Sequence, residues 1–291
     1  MLTIHYDVGR LPVTVTTSVD AIQAALTDLY PSVPAPSEDA ARFRITSDQG
    51  SYSLFGPGVS YHTTERDTLV PALESQIRDL YIAQADRAWV LHSSGFLTDH
   101  GEAVLVIGQP GAGKTTLALR AIAGGACGLS DELHLWYPQQ GVVVGYPRAY
   151  AIKEGTFRAF PEFLNLIGGL APSQWNNRPL WYVTPHRLGL SDSAKPVTLR
   201  ALVFLSRQGD QQALRPVPHW RRLSTLLSHA WVSDRVPFGD RFGDILSALE
   251  TIDVWEGGPD AVLETYLGYS MAESSHAIQA RSFSAREGGS L

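Results

Sequence analysis

One eight-residue segment, Gly108–Thr115, constrains the fold of this chain more than any other feature. It reads GQPGAGKT, which matches the pattern G-x4-G-K-[ST]. An uninterrupted apolar run, Ala103–Ile107, precedes it and is typical of a strand buried on both faces. A helical pattern from Thr115 to Ala123 follows and stops at two glycines. Strand, glycine loop and helix in this order predict a phosphate loop, in which backbone N–H groups and the helix N-terminus hold phosphate groups.

The residues of this phosphate loop have distinct expected roles. Lys114 should reach the β- and γ-phosphates of a nucleotide, and Thr115 should offer its hydroxyl to Mg²⁺. We therefore expect ATP and Mg²⁺ as cofactors. An ordinary glycine turn is the alternative, but it has no need of the lysine and threonines. The residues expected around the nucleotide are Gly108, Pro110, Gly111, Ala112, Gly113, Lys114, Thr115 and Thr116.

An acidic pair, Asp131 and Glu132, ends the next predicted strand. Ligands of open α/β sheets gather at the carboxyl ends of strands, so this pair should face the γ-phosphate. One carboxylate can hold Mg²⁺, and the other can accept the proton of an attacking hydroxyl. The competing interpretation is a cap of a helix or a turn. His92 ends a strand that we expect beside the loop strand, where it would either hydrogen-bond Asp131 or be purely structural.

Charge and composition disfavour several classes of protein. The 291 residues carry a net charge of −6 and no run of basic residues, unlike a surface that neutralises nucleic acid. The single cysteine, Cys127, allows no disulfide within the chain and suits a cytoplasmic protein. No apolar stretch approaches the roughly 20 residues that span a bilayer, and the N-terminus has no signal pattern. We expect a cytoplasmic protein without nucleic-acid or membrane partners.

The pattern of the chain predicts three segments. Residues 1–85 form a small α+β unit, residues 86–270 a phosphate-loop core, and residues 271–291 a polar tail expected to be disordered. The first unit either docks a peptide at an edge strand or completes the packing of the fold. Gln174–Pro179 is expected to be a loop that covers the site. Further helices are predicted near 219–229, 238–252 and 259–267.

In order and spacing, these motifs resemble the catalytic domain of HPr kinase/phosphorylase. The resemblance is closer to its smaller relatives, the HPr-kinase-like serine kinases, some of which accompany peptide natural-product clusters. It runs from about Ala88 to Phe157, more weakly to about Trp231. The matching segments are Leu91-His92-Ser93, Val104–Gly108, Gly113–Thr116, Leu129–Leu133 and Gly145–Lys153.

The resemblance implies an α/β fold whose phosphate-loop core is of the HPr kinase and phosphoenolpyruvate carboxykinase type, with a small N-terminal α+β unit. It implies ATP as donor, a serine-type hydroxyl as acceptor and possible homo-oligomers. Asp131 would be the general base, helped by His92, and Lys114 the phosphate ligand. Thr115, Glu132 and Asp131 would hold the metal. Arg148 and Lys153 would contact phosphate or substrate, unless they only form surface ion pairs.

The chain departs from HPr kinases at Lys114-Thr115-Thr116, where they carry Lys-Ser-Glu, and at Asp131-Glu132, where they carry Asp-Asp. Their second glycine-rich signature has no match. We therefore expect a kinase for a hydroxyl of a peptide or small molecule. The alternatives are an ATP-binding regulatory or assembly module without phosphoryl transfer, and a true HPr kinase. A transporter-type ATPase is disfavoured because Ala201–Leu205 is followed by Ser206 and Arg207 and not by aspartate.

Overall fold

The computed structural model describes residues 1–27, 29–34, 37–166, 170, 172–175, 178–184, 195–206, 213–232 and 238–269. The chain divides into two compact units. Unit 1 comprises Met1–Ala85, Pro147–Glu154 and Gly169–Thr184, and unit 2 comprises Asp86–Tyr146, Gly155–Gly168 and Pro185–Leu291. The tail predicted at 271–291 lies outside the described residues.

The described residues form eighteen strands and eight α-helices. The strands are β1 (Leu2–Val8), β2 (Leu11–Thr17), β3 (Ala41–Asp48), β4 (Ser51–Gly56), β5 (Val59–Thr63), β6 (Trp89–Leu91), β7 (Ser93–Leu97), β8 (Ala103–Ile107), β9 (Cys127–Asp131), β10 (His134–Tyr137), β11 (Val142–Gly145), β12 (Tyr150–Lys153), β13 (Ser173–Trp175), β14 (Arg178–Val183), β15 (Val197–Leu205), β16 (Arg215–Pro216), β17 (Ala230–Val232) and β18 (Asp253–Gly257). The helices are α1 (Gln23–Thr27), α2 (Leu69–Gln84), α3 (Lys114–Ala123), α4 (Glu154–Ala159), α5 (Phe163–Leu166), α6 (His219–Leu227), α7 (Phe238–Thr251) and α8 (Pro259–Leu267).

Unit 1 contains a five-stranded sheet in the order β1-β2-β3-β4-β5. Its pairs are antiparallel except β2 with β3, which are parallel. The apolar face of α2 is buried, with Leu69, Leu73, Ile77 and Tyr81 on it, as the helical spacing predicts. Pro71 lies in the first turn of α2, where its missing N–H costs no helical hydrogen bond.

The expectation of a loop at Gln174–Pro179 was wrong. Ser173–Trp175 and Arg178–Val183 pair as antiparallel strands, with Trp175 opposite Arg178, in the three-stranded sheet β12-β14-β13 of unit 1. The aromatic and apolar residues that follow Pro179 favour a strand and prevail over the polar residues before it. Residues 176–177 lie outside the described part of the chain.

Unit 2 is built on a ten-stranded mixed sheet. Its main path runs β17-β6-β10-β11-β15-β8-β7-β9, and β18 pairs with β15 and β16. The loop strand β8 pairs in parallel with β15 and in antiparallel with β7. All five of its residues are fully buried, as predicted for a strand covered on both faces.

The alternating side chains of β8 belong to two separate apolar clusters. Leu105 and Ile107 lie in a cluster with residues of α7, whereas Val106 lies in a cluster with residues of α3 and α8. Burying one such aliphatic side chain stabilises a fold by about 1.5–3 kcal/mol. The strand that leads into the phosphate loop is therefore fixed from both faces.

Candidate functional site

The predicted phosphate loop connects β8, which ends at Ile107, to α3, which begins at Lys114. Two of its glycines, Gly111 and Gly113, have φ angles of +77° and +98°. These left-handed conformations suit glycine and strain residues that carry a Cβ atom. The backbone therefore turns sharply before α3, and the first N–H groups of this helix face the loop. Pro110 and Gly111 are exposed, and Ala112 and Gly113 are partly exposed.

Lys114 folds back over this loop. Its Nζ donates a hydrogen bond of 2.8 Å to the carbonyl oxygen of Gly108, and the residue is 8% exposed. This hydrogen bond keeps the ammonium group at the start of the loop. The backbone N–H groups that are also predicted to contact phosphate belong to the same loop.

Thr115 and Asp131 are in direct contact. The Thr115 hydroxyl donates to Asp131 Oδ1 at 2.9 Å, and the Ser94 hydroxyl donates to the same oxygen at 2.6 Å. Ser94 lies on β7 directly opposite Asp131 on β9, so the strand register makes the second contact. Asp131 is 3% exposed. Hydrogen bonds to a carboxylate are stronger than neutral ones, and two of them fix the orientation of this side chain.

Thr116 makes a different contact from its neighbour. Its hydroxyl donates to Thr156 Oγ1 on α4 at 3.3 Å. One turn further along α3, Arg120 donates to the carbonyl oxygen of Ala159 at 2.6 Å. The loop helix is therefore tied to the segment that begins with α4, and both partners lie in unit 2.

Glu132 has an unusual backbone conformation, with a φ angle of +101°. Its Oε1 lies 3.8 Å from Nδ1 of His92, and both side chains are about one-third exposed, at 32% and 31%. The sequence predicts a hydrogen bond from His92 to Asp131. In the structure, His92 makes an ion-pair contact with the neighbouring residue Glu132. A non-glycine residue at positive φ costs about 1–3 kcal/mol, and such strain clusters at functional sites.

The strand of His92 does not lie beside the loop strand, so that expectation was wrong. β6 pairs with β10 and β17, whereas β8 pairs with β7 and β15. The strand that takes the expected place is β7, which starts immediately after His92. Its Ser-Ser-Gly start has low strand propensity, so the sequence pattern does not reveal it.

Arg148 and Lys153, the weaker candidates for phosphate contacts, both lie in unit 1. Arg148 is 4% exposed, and its Nη1 lies 3.1 Å from Glu74 Oε1, which is also buried. The alternative of a surface ion pair was therefore wrong for Arg148, because the pair is internal. Lys153 is the exposed last residue of β12.

A further residue of this region, His229, has no signal in the sequence pattern. It lies between α6 and β17, and its carbonyl oxygen accepts a hydrogen bond of 3.0 Å from the His92 N–H. Burial lowers the pKa of His229, and the positive charges of Lys114 and His92 lower it further. The pairing of β6 with the distant β17 brings His229 to His92, so no local motif could have found it.

The acidic and hydroxyl groups of this site suit a cation that arrives with a nucleotide. In the described part of the chain no group of three or more His, Cys, Asp or Glu residues is arranged to hold a metal alone. Thr115, Asp131 and Glu132 supply one hydroxyl and two carboxylates. Mg²⁺ in phosphoryl-transfer sites is held by one or two carboxylates, water and the phosphates themselves, so the residues fit this ion.

Comparisons with known proteins identify no family. No family model matches this chain, and no curated protein does. Among solved structures, it is similar to the Hpr(Ser) kinase/phosphatase from Coxiella burnetii, at 11% identity over 69% of this chain and 99% of that chain. The TM-score of 0.31 is too low to support a shared fold or function. No helix among the described residues has the length and apolar character to cross a membrane.

Proposed function

We propose that this chain is an ATP-dependent kinase that transfers the γ-phosphoryl group to a serine-type hydroxyl of a peptide or small molecule. One observation carries the proposal: the hydroxyl of Thr115, on the phosphate loop, bonds directly to the buried carboxylate of Asp131. A phosphate loop alone supports only binding, whereas phosphoryl transfer also needs an acid beside it.

In this mechanism the acceptor oxygen attacks the γ-phosphorus, and the bond from that phosphorus to the β,γ-bridging oxygen breaks. The acceptor proton passes to the carboxylate of Asp131, and ADP leaves. Asp131 is held in place by the hydroxyls of Thr115 and Ser94. Lys114 neutralises charge on the β- and γ-phosphates. Thr115, Asp131 and Glu132 would hold Mg²⁺, which would supply further charge neutralisation.

An ATP-binding regulatory or assembly module is the second candidate function. It is favoured by the burial of Asp131, which is 3% exposed and accepts two hydroxyl hydrogen bonds. In a module of this kind, Asp131 would connect the loop helix to β7 and β9 and would not move a proton. The kinase would transfer a phosphoryl group to an acceptor and the module would not, so an assay for this transfer distinguishes the two functions.

The test incubates purified protein with γ-labelled ATP, Mg²⁺ and a panel of acceptors. The panel holds free serine, serine-bearing peptides encoded beside the gene, HPr and simple sugars. Asp131→Asn is compared with Asp99→Asn, a matched change in an exposed turn of the same unit. We expect label on one acceptor, a loss of about 100- to 10,000-fold with Asp131→Asn, and no loss with Asp99→Asn.

Nucleotide binding is measured on the same three proteins. A kinase predicts that Asp131→Asn still binds ATP while transfer is lost. Label on HPr alone would instead establish a true HPr kinase. ATP binding by the unaltered protein without transfer to any acceptor of the panel would contradict the kinase proposal and favour the regulatory module.

A further inference from the structure

His229 lies directly across from His92 at the end of two paired strands. β17 pairs with β6 in antiparallel, with Ala230 opposite Leu91. The hydrogen bond from the His92 N–H to the His229 carbonyl oxygen, 3.0 Å long, continues this pairing by one position. Residues that oppose each other in this way have Cβ atoms roughly 5 Å apart and side chains on the same face. His92 in turn lies beside Glu132.

The ring of His229 also lies at the strand end from which the phosphate loop starts. Its centroid is 6.4 Å from that of Phe204 on β15. Phe204 is the register partner of Ile107, the last residue of β8 before the loop. Two independent contacts, one through β6 and one through β15, therefore place this imidazole beside the loop. Both contacts lie within unit 2.

The charges around His229 favour an anion. The positive charge of Lys114 acts on the His229 ring strongly enough to lower its pKa, after the larger effect of burial. His92 acts in the same direction. The acidic groups of the site, Asp131 and Glu132, contact Thr115 and His92 respectively. These positive surroundings suit the phosphate that Lys114 is proposed to hold, and the contacts through β6 and β15 place the imidazole near the strand end at which the loop begins.

We propose that His229 is a ligand of the terminal phosphate of bound ATP, to which its ring N–H donates a hydrogen bond. The inference rests on the proposed function only in requiring that ATP bind at the phosphate loop. It adds a residue to the proposed site and assigns it to the γ-phosphate, which distinguishes ATP from ADP. Lys114 at the loop and His229 on the opposite side would hold that group between them.

The test measures affinity for ADP and for a non-hydrolysable ATP analogue, both with Mg²⁺, by titration calorimetry. His229→Leu removes the donor and retains packing against Phe204, whereas His229→Gln retains an N–H donor. His100→Leu is the matched control, because His100 lies in an exposed turn of the same unit. A hydrogen bond to a charged group makes a difference of about 10- to 100-fold. We expect that loss for the ATP analogue with His229→Leu, and a change of less than about threefold for ADP.

The ratio of the two affinities is the decisive readout, because general damage to the fold would lower both equally. Should His229→Leu fail to fold, His229→Ala provides the same comparison. Restoration of the ratio with His229→Gln would support a donor role. An unchanged ratio in the Leu or Ala variant would overturn the inference while leaving the kinase proposal intact. Failure of the unaltered protein to bind nucleotide would overturn both, and binding without phosphoryl transfer would overturn only the kinase proposal.

Discussion

At the scale of single residues, Glu132 combines a strained backbone, which lowers the stability of the fold, with a carboxylate that is proposed to hold Mg²⁺. Its φ angle of +101° is one that glycine adopts without strain. We predict that Glu132→Gly raises the free energy of unfolding by about 1 kcal/mol, because strain of this kind costs about 1–3 kcal/mol. The same change should lower Mg²⁺-dependent transfer, because it removes the carboxylate. Urea denaturation and the labelled-ATP assay measure the two effects.

Glu132→Gln is the control for this prediction. Glutamine lacks the carboxylate, so this change should lower transfer. It keeps a Cβ atom at the same φ angle, so it should not raise the free energy of unfolding. Equal stability of the Gly and Gln variants would show that the backbone conformation of Glu132 stores no strain.

His134 gives the folded protein a sensitivity to acid. Burial lowers its pKa to about 3, and its Nδ1 lies 2.8 Å from the Ser93 hydroxyl. In the unfolded chain the pKa is about 6.5, so the unfolded state binds the proton first. Stability should be complete above pH 6.5 and should fall by up to about 1.4 kcal/mol per pH unit as the pH drops toward 3.

This acid sensitivity is measured by urea denaturation at several pH values between 7 and 4. His134→Gln removes the titrating group and should flatten the pH dependence relative to the unaltered protein, whatever its effect on stability at pH 7. His100→Gln, a change in the exposed turn, should leave the slope unchanged. Parallel slopes for the unaltered protein and His134→Gln would refute the assignment.

The residue-level chemistry could be predicted in part from the sequence. The strand, glycine turn and helix around Gly108–Thr115 were predicted correctly, because the glycines, lysine and threonine form one short motif, whereas phosphate binding by this segment stays a prediction. The contact between Thr115 and Asp131 agrees with the expectation that the strand after α3 brings its acid to the loop. The partnership of His92 with Glu132 was not predictable, since it depends on the left-handed backbone at Glu132.

At the scale of elements, β11 passes so closely over β9 that one of its positions requires glycine. A Cβ atom on Gly145 would overlap the backbone carbonyl oxygen of Leu129 and lie 2.9 Å from Ser130 Cβ. Ser130 also donates to the Tyr146 carbonyl oxygen at 2.7 Å, and Asp131 comes next in β9. Gly145→Ala should therefore lower the free energy of unfolding by about 1–3 kcal/mol, and displacement of Asp131 should reduce transfer.

Gly155→Ala is the matched control for this close approach. Gly155 lies in α4, where an added Cβ atom meets nothing within 4 Å, so alanine should raise stability by about 0.5–1 kcal/mol. Thermal unfolding of both variants checks the two signs. A neutral Gly145→Ala variant would mean that β9 and β11 separate at little cost.

The helices and strands with regular apolar spacing were also predictable. The helices α6, α7 and α8 lie close to the predicted ranges 219–229, 238–252 and 259–267. β7 was missed, because its Ser-Ser-Gly start breaks the pattern on which strand prediction relies. The first and last residues of helices and strands depend on partners that are distant in sequence. The predicted boundaries were therefore less accurate than the predicted elements themselves.

At the scale of the whole molecule, the order of strands in the sheets was not predictable. β17 reaches β6 across nearly half of the chain, and this pairing brings His229 to His92. Unit 1 likewise combines the N-terminal segment with Pro147–Glu154 and Gly169–Thr184. Such pairings arise from competition among many strands for the same edges, and a single sequence gives no direct signal of the outcome.

The parallel pairing of β8 with β15 has a consequence for folding during synthesis on the ribosome. β7 and β8 leave the ribosome together, but β8 ends at Ile107 and β15 begins at Val197. Translation at roughly 5–20 residues per second leaves one edge of β8 unpaired for on the order of 5–20 s. During that interval an entirely apolar strand is open to other nascent chains, and the predicted phosphate loop lacks the neighbouring strand β15. The proposed nucleotide site is therefore completed long after β8 is synthesised, and a chaperone that shields β8 would protect the yield of active protein.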